Sequence, residues 1–583
     1  MKRIETATVL LMVLSLTLLG QGAALAEDFY LRTQEDCGYN PGDGRGPECG
    51  RAWNKHSDID WDNGDGTGVG PGDTLWLIGE IRDGREFVYN DKKKLGRLFY
   101  VPVDGKPGRP ITIRGGHPIK PAVVVGSLVR KLARFTRQAD GTYMLGKINN
   151  PKNIHAVVLG DGDNDWPVDS LCRLRRAASR EAVAKTPGTF FVDGKRLFLN
   201  PGKCAGKDVA FKHQGAVSLG GHDHITVRDI KGIYFARDYA PFTPVKNHRK
   251  EGINIGLSLI NCTIGFASWQ PGIRGLHGAK NCLIENNTFV NVKNAIYWAT
   301  YKEVTSAENI IIRGNEVYSR MKNNYMIPMQ DANDAHAIGA QGLCHQCIIE
   351  KNYIHDFYGD GILFYFNKDY EVAEDTIIRW NVIENLDENQ FGIKADNRGN
   401  AYWNNGIMLF GTNKKMQKSK DNNPRWKIYG NVIRNIDRDT GEKSSTGPIG
   451  TAMSIKWGRP SKPGDVIKVF GNYVNGARCG IAIRAFNVDN VFYSSANVRD
   501  NHFENISQYA VYANKPEGGA EYISFRNNKF KKVKSFFWNG KKYPGEGLWK
   551  AVAKRHMLEE TGEPRGSGAA GLDYRMPLED GGQ

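Results

Sequence analysis

Apolar and polar residues alternate in short bursts through residues 216–535, and the bursts return as variants of one phrase. It reads CLIENNTFVNV at Cys282–Val292, IIIRGNEVYS at Ile310–Ser319, CIIEKNYIHDF at Cys347–Phe357 and TIIRWNVIENL at Thr376–Leu386. Each copy is a period-2 apolar run, an Asn, and a second period-2 pair, the pattern of two short strands around a bend. The aligned residues are Asn287, Asn315, Asn352, Asn381, Asn431, Asn472, Asn501 and Asn528, and the shortest spacings between them are 27 to 29 residues. A fixed period in this range with no helical segment between strands predicts a stacked coil, each turn pairing with the next. The Asn residues are then structural: an Asn tolerates the left-handed backbone of a corner and can bond the Asn of the next turn.

The ends of the chain follow other patterns. Lys2 and Arg3 precede an apolar run that closes on Ala24-Leu25-Ala26, the layout of a cleaved export signal over 1–26. No other stretch is long and apolar enough to predict a membrane span. Residues 27–215 begin with alternating PGDTLWLIGEIRDG at Pro71–Gly84 and RPITIRGG at Arg109–Gly116, then lose the pattern apart from a hairpin around Asp193-Gly194. This region is expected to cap the stack, whose first turn would otherwise expose an open edge. Residues 536–583 are polar and Gly/Pro-rich and are expected to cover the other end.

Charge and cysteines narrow the setting. The chain of 583 residues carries a formal charge of +16, which favours an acidic partner. Its nine cysteines include Cys37 and Cys49 around a Gly/Pro-rich loop, an expected disulfide, and Cys172 with Cys204, a second expected pair. Cys344 and Cys347 form a C-x-x-C, but Cys347 takes the repeat position of Cys282, which favours a buried or paired structural role over redox or metal chemistry.

The export signal, the GDTLWL and PITIRG words and the Asn-marked turns resemble the right-handed parallel β-helix proteins that act on polysaccharides. These are the pectate-lyase-like superfamily, with the chondroitinase B and alginate lyase group as the nearest likeness. The resemblance covers nearly the whole exported chain and implies an all-β fold: a right-handed parallel β-helix with an elaborated N-terminal cap and a short C-terminal tail. One architecture hosts many chemistries, so the reaction must be argued from a site.

The strand before each Asn copy supplies that site. In GIMLFG, AMSIKWG and GIAIRAF the pairs Ile407/Leu409, Met453/Ile455 and Ile481/Ile483 should point inward, and the residue after each pair outward. In turn order the outward residues are Gln341, Tyr365, Phe410, Lys456, Arg484 and Asn514, a ladder rising about 4.8 Å per step. Its rings offer a surface for sugars. Arg484 beside Lys456 should lower the lysine's pKa and fit it to act as a general base. From each Asn to the following strand the chain usually takes eight or nine residues, but it takes more than twenty after Asn315, Asn381 and Asn431. These insertions should gather beside the ladder. They carry Asp331 and Asp334 ahead of His336, and Lys394, Asp396, Arg398 and Trp403.

Elimination on an acidic, uronate-containing polysaccharide is the expected activity. Lys456 and Arg484 are its main catalytic candidates, with His336, Asp331 and Asp334 beside them. Tyr365, Phe410, Gln341, Lys394, Arg398 and Trp403 are candidate sugar contacts. Asp356, Asp360 and Asp396 are candidate oxygen ligands for calcium, the one cofactor considered. Three other readings stay open: a glycoside hydrolase using loop aspartates, a uronate epimerase, and a glycan-binding surface protein without catalysis. Nucleic acid is not an expected partner, and a monomer is expected.

Overall fold

A computed structural model of the chain describes residues 26–62, 66–81, 97–148, 154, 157–161, 172–204, 206–213, 216–218, 221–233, 242–243, 254–265, 273–274, 278–292, 294–299, 307–319, 335–341, 344–357, 359–366, 375–386, 404–411, 425–436, 450–456, 467–484, 486–488, 491–493, 496–514, 523–538 and 541–545. Over these residues the chain winds into a right-handed parallel β-helix. Its first face is a 14-stranded sheet that takes in Asp28–Arg32, Thr74–Ile78, Ile111–Arg114, Ile225–Arg228 and later strands out to Ile523–Arg526. Two further faces belong to a 23-stranded sheet. The strand after each ladder Asn forms the second face, as Glu316–Tyr318 beside Tyr353–His355, and the third runs through His336–Gln341, Asp360–Phe366, Ile407–Gly411 and Thr451–Lys456.

Strict alternation makes the interior. Ile284, Ile312, Ile349, Ile378, Ile428 and Val469 stack from one turn to the next as part of one continuous buried core. Burial of branched apolar side chains in such columns is the main stabilising term, at about 25 cal/mol per Å² of apolar surface removed from water.

All eight aligned Asn residues form one buried ladder. Each side-chain amide donates to the Oδ1 of the next at 2.9 Å, from Asn287 through Asn315, Asn352, Asn381, Asn431, Asn472 and Asn501 to Asn528. The reason for Asn differs in part from the expectation. The left-handed residue is the one before it: Asn286, Gly314, Lys351, Trp380, Gly430, Gly471, Asp500 and Asn527 all have φ between 53° and 64°. The ladder Asn instead turns inward and satisfies backbone that the corner leaves unpaired, as when Asn381 Nδ2 donates to the Ile349 carbonyl at 3.0 Å.

The N-terminal elaboration has two parts. Between Asp28–Arg32 and Thr74–Ile78, Trp53 bridges Leu31 along the open edge of the first strand, and Trp53, Ile59, Trp61 and Val69 join the main core. Later, residues 127–213 build a separate eight-stranded, largely antiparallel sheet with its own core of Val157, Leu174, Phe190, Leu199, Phe211 and neighbours. At the other end Lys541–Pro544 folds back antiparallel on Ser535–Trp538.

Both expected disulfides are present, and Cys344 and Cys347 form a third. Cys262, Cys282 and Cys479 are buried and outside any disulfide, and burial pushes the Cys262 and Cys282 thiols up to about 12. A thiolate is the reactive form, so native protein should show no titratable thiol and denatured, unreduced protein three. A thiol that reacts before unfolding would contradict this.

Candidate functional site

Backbone register decides which outward side chains on the third face are neighbours. Gln341 pairs with Tyr365, Tyr365 with Phe410, Phe410 with Lys456, and Arg484 with Asn514. Ile455 pairs with Ile483, so Lys456 and Arg484, each one residue further on, fall on adjacent turns. For Gln341, Lys456 and Arg484 the structure describes the backbone alone.

The two rings of the ladder differ in what they can offer. Tyr365 and Phe410 stack at 5.3 Å with an interplanar angle of 24°. Phe410 is only 5% exposed, packed with Leu363 and Met408, which share its outward face. The open sugar surface expected of Phe410 is therefore confined to Tyr365, which is half-buried.

His336 and Asp360 begin two of these strands. The residues that follow each of them, Ala337 and Ile338 for one and Gly361 and Ile362 for the other, both face the core, so alternation slips by one there and His336 and Asp360 lie on the outer side of the third face. His336 is 7% exposed and stacks on Tyr297. Its Nδ1 lies 3.3 Å from Asp360 Oδ2 without the alignment of a hydrogen bond. The other Asp360 oxygen accepts from the Asn405 backbone at 2.7 Å and from the Asn405 amide at 2.9 Å. Asn294, His336, Asp360, Asn405 and Thr451 thus form a buried polar column on the outer side of the third face, at the strand starts.

Asp356 sits at a corner in the left-handed region, at φ 46°, and its carboxylate accepts from His355 Nδ1 at 2.8 Å. Among the described residues no three His, Cys, Asp or Glu side chains gather as a metal-ligand set. Asp331, Asp334, Lys394, Asp396, Arg398 and Trp403 lie outside the described residues.

A cluster absent from the residues expected from the sequence occupies the outer second face. His355 Nε2 is 3.3 Å from Glu316 Oε1, opposite its Asp356 contact. Its ring lies 4.1 Å from that of Tyr353 and 5.1 Å from that of Tyr318, and Tyr353 donates to Glu384 at 2.7 Å. The signal was available: these residues hold the first and third places after successive ladder Asn residues, the outward positions of that strand. Burial pulls the His355 pKa down, but the hydrogen bonds and charges of Glu316 and Asp356 outweigh it and leave the pKa raised. Burial and the Glu384 contact raise that of Tyr353. A raised histidine pKa gives stability that is complete below the unfolded-state value, about 6.5, and fades as pH climbs through the folded value. Native protein should accordingly lose stability above that window, and His355→Gln should flatten the profile. Parallel profiles for the two proteins in urea melts from mildly acidic to mildly alkaline pH would refute the assignment.

Comparison with known proteins adds the fold and little else. No family model matches the chain, and no curated protein matches it in sequence. Among solved structures it is similar to the complex of XylC with xylose, at TM-score 0.51 and 12% identity over 87% of this chain and 86% of that one. It is also similar to a structure described as a glycoside hydrolase, at TM-score 0.50 and 11% identity over 92% and 99%. Pectate lyase Pel9A matches at TM-score 0.37 and 12% identity over 84% and 79%. The likeness is one of fold. No helix among the described residues is long and apolar enough to cross a membrane.

Proposed function

We propose that the chain is an exported, carbohydrate-active enzyme that cleaves an acidic, uronate-containing polysaccharide by β-elimination. The observation that carries the reading is the register of the third face, which sets Lys456 beside Arg484 on the outward ladder that begins with Gln341 and Tyr365. Elimination needs three things together: offset of the uronate carboxylate charge, removal of the proton on the adjoining carbon, and departure of the glycosidic oxygen. In this reading Lys456 takes the proton, and the C–H electron pair becomes the new C=C bond as the C–O bond breaks. Arg484 offsets the carboxylate or helps protonate the leaving oxygen, and Tyr365 supports a sugar ring. The excess of positive charge and the three disulfides fit an exported protein with an anionic substrate.

Hydrolysis is the second reading, and a specific observation favours it. Glu316 and Asp356 approach His355 from opposite sides on one outer face, and glycoside hydrolysis needs two carboxyl groups about 5 to 9.5 Å apart. Similarity in fold to a structure described as a glycoside hydrolase and to a xylose complex supports a carbohydrate partner under either reading.

Purified protein incubated with a panel of uronate polymers, with and without calcium, separates the outcomes by product. Unsaturated, ultraviolet-absorbing ends are expected. New reducing ends without absorbance would replace elimination by hydrolysis, altered uronate configuration without cleavage would mean an epimerase, and unchanged polymer would leave a binding protein.

A further inference from the structure

The outer side of the first face changes character half-way along the stack. From Glu285 to Arg379 its outward column alternates in sign: Glu285 pairs with Arg313 and Glu350 with Arg379, a self-neutralising ladder. Beyond Arg379 no carboxylate occupies this column, and the one beside it is Asp500, which pairs with Arg499 from the adjoining corner. The same column continues as Tyr429, Phe470, Arg499 and Arg526, and the neighbouring column stacks Lys427 directly on Lys468. Like charges opposite one another on adjacent strands destabilise a sheet. Earlier in the first of these columns Arg114 also stacks on Arg228, and there Asp229 pairs with both guanidinium groups.

The cations here are also held in place. Arg379 lies 4.1 Å from the Trp380 ring centroid and donates to the Tyr429 hydroxyl at 2.8 Å, and Arg499 lies 4.5 Å from the Phe470 centroid. Tyr429 and Phe470 stack at 4.7 Å with planes 7° apart, so these contacts run on from turn to turn. Trp380 is 42% exposed and occupies a left-handed corner at φ 56°, a conformation that costs a bulky residue free energy. The next corner residue is Gly430, where a Cβ would come within 2.6 Å of the indole. The missing side chain thus leaves room for Trp380.

We propose that this face, centred on Trp380, Lys427, Lys468 and Arg499, is a second binding surface for an acidic polysaccharide, separate from the third-face ladder. A chain bearing one carboxylate per sugar relieves the Lys427–Lys468 repulsion, and charged groups repeating about every 4.8 Å along the stack suit a polymer with charges at every residue. Cations fixed against aromatic rings lose little side-chain freedom on binding. The surface shares a polymer class with the proposed function but does not depend on the reaction.

The test is affinity electrophoresis of the full chain through gels containing polygalacturonate, alginate or neutral xylan, at low and high salt, with a duplex DNA competitor. Wild type should be retarded by the acidic polymers only, less so at high salt, and DNA should compete weakly. Lys427→Ala/Lys468→Ala should bind about tenfold more weakly, and Trp380→Ala should also bind more weakly, with unchanged melting temperatures and unchanged turnover of a short oligosaccharide. Equal retardation of variant and wild type, equal retardation by xylan, or preferential binding of DNA would overturn the proposal. If Lys427 and Lys468 govern retention while no polymer is cleaved, the elimination reading fails and this surface stands.

Discussion

Asn381→Ala is expected to lower the stability of the β-helix by about 3 kcal/mol or more. Asn381 is fully buried, and its Oδ1 accepts both the Asn352 backbone N–H at 3.0 Å and the Asn352 side-chain amide at 2.9 Å. Its own amide donates to the Ile349 carbonyl and to Asn431 Oδ1. Alanine removes every one of these contacts and leaves two buried donors on Asn352 with nothing to replace water. An unmet buried donor costs about 1–3 kcal/mol, far more than the net gain from making an average hydrogen bond. The position matters as well. Asn381 joins the Asn287–Asn352 and Asn431–Asn528 halves of the ladder, and a solenoid's stability is a sum of neighbour terms, so its loss should also separate unfolding into two steps. Asn528→Ala, at the last described rung, should cost less. A denaturation curve for Asn381→Ala that overlays wild type would show that the ladder records the corner geometry without stabilising it.

Lys456→Ala should reduce kcat on the cleaved polymer by about 10²- to 10⁴-fold, the range for removing a general base. If Lys456 acts only in the transition state, kcat and kcat/KM should fall together while binding of the polymer is kept. Arg484→Ala should lose about 10²- to 10³-fold, as expected for one group that stabilises developing negative charge, and because the two lie on adjacent turns their effects should not add. Partial recovery of the Lys456→Ala enzyme by added small primary amines would identify the missing base. Activity within a few-fold of wild type in both variants would remove the ladder from the chemistry and direct attention to Glu316, Asp356 and His355.

The pattern of inward and outward residues made most of the third face readable in advance. GIMLFG, AMSIKWG and GIAIRAF align without gaps, so placing Phe410, Lys456 and Arg484 on successive turns required only counting. The same counting would have found Glu316, Tyr353, His355 and Glu384 had it been applied to the strand after each Asn. Strand ends were harder. His336 begins its strand at a corner where Ala337 and Ile338 both face the core, so counting by twos does not carry across it. The corner was misread by one residue: Asn was expected to hold the left-handed turn, but Trp380 and Lys351 can hold it too, because the ladder Asn beside them bonds the backbone there.

By itself, then, the sequence determined the repeat, the eight ladder Asn residues, two disulfides and the turn-to-turn alignment of Tyr365, Phe410 and Lys456, because each is a local matter of period or spacing. Only the tertiary structure decided the rest. That residues 127–213 form a sheet with its own core, that His336 meets Asp360 on the outer side of the third face, and that the alternating charge of Glu285 to Arg379 gives way to stacked cations all depend on which turn lies against which. Insertions of unequal length separate those turns in sequence, and hydrogen bonding between neighbouring strands, rather than any local preference, sets their register.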